Sequence, residues 1–201
     1  MPPYRDVGAY HDRAARYDQG WRGRQHHAIS DRTAALATAT VSSPARVLDV
    51  GCGTGYLLRT LAGHYPEAQA LAGIDAAPNM IQTATSLTHD PRLTFTTGVA
   101  EELPYPDAWA DLVVSSTSFD HWSDQHRGLA ECARVLRPHG HLVLVDQFSL
   151  WLIPTLAISR RGKARTRRRA NRLLLRAGFT DPHWHTVRAV IINAAIAAKP
   201  A

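Results

Sequence analysis

Three glycines in five positions, Gly51, Gly53 and Gly55, follow the apolar run Val47-Leu48-Asp49-Val50 and precede a helix-like stretch that begins at Tyr56. Glycine lets the backbone turn tightly and lets a ligand approach bare N–H groups, and the turn from a strand into a helix is where open α/β sheets bind ligands. A dinucleotide fingerprint would read G-x-G-x-x-G and rest a pyrophosphate on the helix N-terminus. Here the spacing is G-x-G-x-G, Tyr56 holds the sixth place, and Asp49 precedes the turn. A carboxylate there is ill suited to a diphosphate but can receive an ammonium group. Asp75 stands 20 residues past Gly55, at the end of the next apolar run, where a carboxylate can accept from two ribose hydroxyls. An amino-acid head and a ribose with no phosphates is what S-adenosylmethionine presents.

A sulfonium methyl is already activated, so its in-line transfer needs chiefly alignment, with a base only where the acceptor must lose a proton. The run Ser115-Ser116-Thr117-Ser118-Phe119-Asp120-His121-Trp122 leaves the fourth strand-like segment where an acceptor would sit. His121 is the base available near neutral pH, the alternative being that it caps or packs under the following helix. Asp120 is the neighbour that would orient it, although adjacent residues seldom face each other usefully. Ser115 is assigned to the cofactor side and Trp122 to the acceptor side. His26 and His27 form no metal-ligand set with a nearby acid or cysteine, so no metal is expected.

The elements that must position these groups alternate along the chain. Residues 7–18 and 24–40 read as helices, and Ser42-Ser43-Pro44 breaks the pattern. Strand-like runs follow at 46–50, 70–74, 93–97, 112–115 and 141–146, with helices at 56–64, 78–87 and 125–136 between them. Short apolar strands separated by helices signal a parallel sheet covered on both faces. A basic helix at 164–177, ended by Gly178, leads to β-rich segments at 183–188 and 190–198, whose short link makes them an antiparallel pair at the sheet edge. The expected fold is an open, doubly wound α/β sheet with one antiparallel strand.

With 201 residues the chain is long enough for a single self-sufficient core. Cys52 and Cys132 are its only cysteines, which excludes a disulfide framework and a cysteine zinc site and favours a reducing compartment. The longest apolar stretches, 150–158 and 189–198, are interrupted by Pro154 and Asn193 and fall well short of the ~20 residues a membrane span needs. With no secretion-signal pattern at the N-terminus, a cytoplasmic location is expected. The net charge of +6 is local: nine basic residues and no acidic one lie between Arg160 and Arg176, which leaves 14 basic against 17 acidic elsewhere, about −3.

Four stretches carry a resemblance to a known family. They are Val47 to Tyr56; Gly73-Ile74-Asp75-Ala76-Ala77-Pro78-Asn79-Met80; Gly98 to Asp107 with Asp111-Leu112-Val113-Val114-Ser115; and Ala133-Arg134-Val135-Leu136-Arg137-Pro138-His139-Gly140-His141. In this order and spacing the chain resembles the class I S-adenosylmethionine-dependent methyltransferases of the ubiquinone/menaquinone-biosynthesis-like, small-molecule type. The resemblance implies one Rossmann-like domain with a seven-stranded sheet and a reversed C-terminal strand: residues 1–43 a helical cover, 44–147 the cofactor-binding core, and 148–201 a lid segment and the last strands. It implies that Gly51, Gly53 and Gly55 surround the methionine moiety, that Asp75 binds the ribose, and that Met80 packs on the adenine, where plain core packing is the alternative. Relatives usually carry Asp-Ala-Glu after the third strand, whereas this chain reads Val99-Ala100-Glu101. The Ala100 backbone is left to meet the adenine edge, with Glu101 or Glu102 as substitute acceptors.

The N-terminal run Ala9 to Asp18 resembles the helix that closes over the cofactor in relatives, with Tyr10 or Tyr17 at the carboxylate end. Trp151, beside the basic segment, belongs to the expected acceptor lid. The expected partner is a small-molecule acceptor, anionic, aromatic or carrier-bound, with no stable nucleic-acid complex. An RNA methyltransferase using the basic segment is the alternative, and a nicotinamide-dependent oxidoreductase a more distant one.

Overall fold

The structure is a computed structural model that describes residues 17–149, 166–189 and 191–201. Among these, seven strands and five helices alternate: α1 (Gly20–Thr40), β1 (Arg46–Val50), α2 (Tyr56–His64), β2 (Ala70–Asp75), α3 (Pro78–Ser86), β3 (Leu93–Thr97), β4 (Ala110–Ser116), α4 (Gln125–Val135), β5 (Leu136–Gln147), α5 (Arg167–Arg176), β6 (Thr180–Arg188) and β7 (Ile192–Ala198). A single 3₁₀ turn, Phe119–His121, lies between β4 and α4.

The strands form one sheet in the order β3-β2-β1-β4-β5-β7-β6. Strands β1 to β5 pair in parallel, and β7 runs antiparallel to both β5 and β6. The expected antiparallel C-terminal pair is present, with β6 at the edge and β7 the reversed strand set between it and β5. Alternate residues of the central strands feed two cores, as the two-residue period of a strand requires. Val47, Leu112 and Val143 pack with Leu57, Leu58 and Leu61 of α2 on one face. Leu48, Val113 and Leu142 pack with Leu129 of α4 and Ala170 and Leu174 of α5 on the other. Asn193 is fully buried in β7 because its side chain is satisfied: Nδ2 donates to the Phe148 carbonyl at 2.8 Å and Oδ1 accepts from Arg167 at 2.5 Å.

The sheet order reverses between β1 and β4, so the loops leaving those two strands part and open a crevice. Some boundaries differ from expectation. Helix α1 begins at Gly20, four residues before the expected start, because Gly20 and Gly23 sit in its first turn, where a propensity-based reading starts too late. Helix α5 begins at Arg167, where the Thr166 side chain accepts from the Arg169 amide as its N-cap. Most of the expected helix at 7–18, and Tyr10, Trp151 and Arg160 to Arg165, lie outside the described residues. No helix among the described residues is long and apolar enough to cross a membrane.

Candidate active site

The loop from β1 into α2 is held by its own backbone and by β2. Gly51 and Cys52 both donate to the Ile74 carbonyl, at 2.8 and 3.0 Å, and Gly55 donates to Cys52 at 2.9 Å. Gly51 adopts φ 79°, and a Cβ there would lie 2.2 Å from Ser118 Oγ, so both its conformation and its packing require glycine. Gly53 adopts φ 53° and an added Cβ would meet no atom within 4 Å, which leaves its side facing open cleft.

Two cavities meet at this loop. The first, about 680 Å³ with its open mouth, is lined by residues that include Asp75, Met80, Ala100, Thr117, His121 and Trp122. The second, about 400 Å³, is lined by residues that include Asp49, His26, His27, Thr54 and Tyr56. Tyr17, Gly51, Gly53, Ser116 and Thr117 line both, and so mark their junction.

The two acids stand on opposite sides of the loop, each raised in pKa chiefly by burial. Asp49 is 1% exposed, and its pKa is pushed up to about 8 by desolvation and by the Asp75 charge. Its Oδ1 is buried with no hydrogen-bond partner. An orphaned buried carboxylate oxygen is costly unless a ligand satisfies it, and an ammonium group would. Asp75 is satisfied by backbone: Oδ2 accepts from Gly53 at 2.9 Å and Oδ1 from Ala77 at 2.9 Å. Burial raises its pKa, while these two bonds and the nearby His121 oppose the rise. Each of its oxygens keeps acceptor capacity for a hydroxyl. The orphaned Asp49, the bare backbone at Gly53 and the anchored Asp75 fit a ligand with an ammonium at one end and a ribose at the other.

Of the other residues assigned from sequence, Met80, Ala100, His121, Trp122 and Tyr17 line the first cavity. Met80 is 1% exposed and packs with Ala77 and Tyr17, so it is wall and core at once. Trp122 is 2% exposed, pinned edge-on to Phe119 at 5.1 Å with its Nε1 donating to Ser118 Oγ, which makes it a wall of the cavity. Three of the assigned residues lie outside both cavity linings. Gly55 lines neither cavity; it takes φ 77° as the N-cap of α2, where a Cβ would run into the Phe95 ring at 2.7 Å. Glu101 is turned inward, its Oε1 accepting from the Asp124 amide at 2.8 Å at the start of α4. Ser115 is fully buried and reaches the site only through Ser118, its Oγ 2.8 Å from that of Ser118.

Sequence reasoning passed over Ser118 and Gly128. Ser118 donates to the Val50 carbonyl at 2.9 Å and so ties the exit of β4 to the glycine loop. Gly128 makes room for Trp122, whose ring would lie 2.5 Å from a Cβ at that position. An apparently ordinary helical glycine and one serine in a serine-rich run offer no sequence signal that separates them from their neighbours.

Residues 48–144 match the family model described as a methyltransferase domain. Over 131 residues the chain is 39% identical to the demethylmenaquinone methyltransferase of Deinococcus radiodurans, covering 64% of this chain and 50% of that protein. Over 102 residues it is 40% identical to the malonyl-[acyl-carrier protein] O-methyltransferase of Hahella chejuensis, covering 50% of this chain and 36% of that protein. The chain thus spans half or less of the length of these curated relatives. Human N-acetylserotonin methyltransferase, solved in complex with the cofactor SAM, superposes with a TM-score of 0.73 at 20% identity, over 98% of this chain and 58% of that one, a likeness of fold.

Proposed function

We propose that the chain, whose residues 48–144 match a methyltransferase domain, transfers the methyl group of S-adenosylmethionine to a small-molecule acceptor. The observation that carries the reading is the pair of cavities joined across Gly51 and Gly53, with the orphaned carboxylate oxygen of Asp49 in one and the backbone-anchored Asp75 in the other. The cofactor supplies an activated methyl group on a sulfonium. Asp49 receives the ammonium, the Gly51 and Gly53 backbone makes room for the chain between, Asp75 accepts from the ribose, and Met80 and Ala100 enclose the base.

The acceptor then enters the first cavity from the β4 side, against Thr117, His121 and Trp122. His121 is fixed there by its backbone, which donates to the Ser118 carbonyl at 2.9 Å, and it is the base for an acceptor that must lose a proton. Two of the similar proteins are named for a quinone-type and a carrier-bound acceptor, which supports a small acceptor of that range for this chain. The test is isothermal calorimetry with S-adenosylmethionine followed by a screen of metabolite extracts with methyl-labelled cofactor. Binding of the cofactor and label in a small product are expected. Tighter binding of a nicotinamide dinucleotide would overturn the reading.

A further inference from the structure

The chain entering α1 doubles back against the first turns of that helix, and the reversal is built from specific residues. Gly20 takes φ 68°. A Cβ on Gly23 would lie 2.3 Å from the Asp18 carbonyl group, so only glycine lets Asp18 lie this close to the helix. Asp18 Oδ1 is 2.9 Å from His27 Nε2, about one turn along from Gly23. The His27 ring lies flat on Tyr56, 3.8 Å between centroids at 5°, and Tyr56 in turn donates to Asp31 at 3.0 Å. Beside Asp18, the Tyr17 ring packs on His26 at 4.9 Å with Oη 3.4 Å from Nδ1. Burial lowers the pKa of His26, which favours the neutral ring that can accept from a hydroxyl.

These contacts fix Tyr17 at the junction of the two cavities, beside Gly51, Gly53, Ser116 and Thr117. In the methyl donor the charged sulfur links the amino-acid half to the nucleoside half, and the acids assigned to those halves stand on the two sides of this junction. We propose that His27, Asp18 and Tyr56 form a clasp that presents the Tyr17 ring to the sulfonium, so that the pocket holds the cationic donor more tightly than its neutral thioether product. His27 is a positioning residue in this arrangement and Tyr17 the residue in contact with the donor. An aromatic face attracts a nearby cation and gains nothing comparable from a neutral thioether. The proposal rests on the methyltransferase reading of the pocket and adds to it a means of discriminating donor from product.

The experiment measures, by calorimetry on the full chain, the affinities for S-adenosylmethionine and for S-adenosylhomocysteine. Tyr17→Leu should weaken the donor by about three- to thirty-fold, the range of a partly desolvated cation–aromatic contact, and the product by less than about twofold. Tyr17→Phe keeps the ring and should restore the ratio. His27→Ala and Asp18→Ala break the clasp from its two sides. Each should shift the ratio in the direction of Tyr17→Leu, and neither should add to it in a double variant with Tyr17→Leu. Thermal melts of every variant establish that the fold is retained. Equal weakening of both ligands, an unchanged ratio in Tyr17→Leu, or full additivity in the double variants would overturn the clasp and leave the pocket assignment standing. A wild-type chain that binds neither ligand would instead remove the methyltransferase reading, and the clasp with it.

Discussion

Asp49 carries the sharpest consequence of burial at a single residue. Its pKa of about 8 means that the native carboxyl holds its proton while the unfolded one loses it near 4. Between those values the native state binds more protons than the unfolded state, so stability falls as pH rises from about 4 to about 8 and levels off above. Asp49→Asn should therefore flatten the decline in melting temperature of the ligand-free protein from pH 5 to 8, with a residual slope from Asp75 and Asp146, whose pKa values burial also raises. A ligand ammonium placed against Asp49 reverses its preference. Cofactor binding at pH 7 should release more than about half a proton, read as a dependence of the calorimetric enthalpy on the ionisation enthalpy of the buffer. No release would detach the ammonium from this residue. Asp75→Ala should cost about 1.5–3 kcal/mol of cofactor affinity, the scale for hydrogen bonds to a charged group. His121→Ala should slow turnover by about 10²- to 10⁴-fold if it is the base, with cofactor affinity nearly intact. A loss below about threefold would show that alignment alone suffices.

The loop after β1 and the exit of β4 work as one element, because Ser118 bonds the Val50 carbonyl and fills the space beside Gly51. Gly51→Ala pushes a methyl into both the Oγ and the Cβ of Ser118 at a left-handed position, so it should abolish measurable cofactor binding and lower the melting temperature, and Ser118→Gly in the same chain, which removes both atoms, should recover part of both. No recovery would place the defect in backbone strain alone. The order of strands and helices was legible in the sequence because apolar runs and glycine punctuation are local signals, and the loop was legible because its chemistry lies in consecutive residues. What was not legible depends on tertiary contact. Gly55 reads like Gly51 along the chain, yet one meets Phe95 and the other Ser118. Glu101 reads as a substitute acceptor for the ligand, yet the start of α4 draws it inward. The clasp escaped notice for the same reason: His27 lies nine residues from Asp18 and 29 from Tyr56, and only the fold brings the three together.

On the scale of the whole molecule the question is what the concentrated positive charge faces. Helix α5 buries Ala170 and Leu174 against the core and turns Arg168, Arg169, Arg172 and Arg176 outward, while Arg167 is held by Asn193 and lies over the Trp184 ring. The rest of the chain is net acidic, so a nucleic-acid backbone running beyond this helix would meet repulsion. A small anionic acceptor or an acidic carrier asks for no more than a local patch. Reversing Arg168, Arg169 and Arg172 to Glu should therefore leave cofactor affinity within about twofold, since none of the three lines either cavity, and should weaken the acceptor or its carrier instead. The fold should survive, because the buried face of α5 and its Thr166 cap are untouched. Duplex binding through several phosphates would declare itself differently, as a salt slope near −0.9 for each phosphate neutralised. Submicromolar affinity for RNA in physiological salt, abolished by the same reversals, would replace the small-molecule acceptor with a nucleic acid while leaving the cofactor pocket as described.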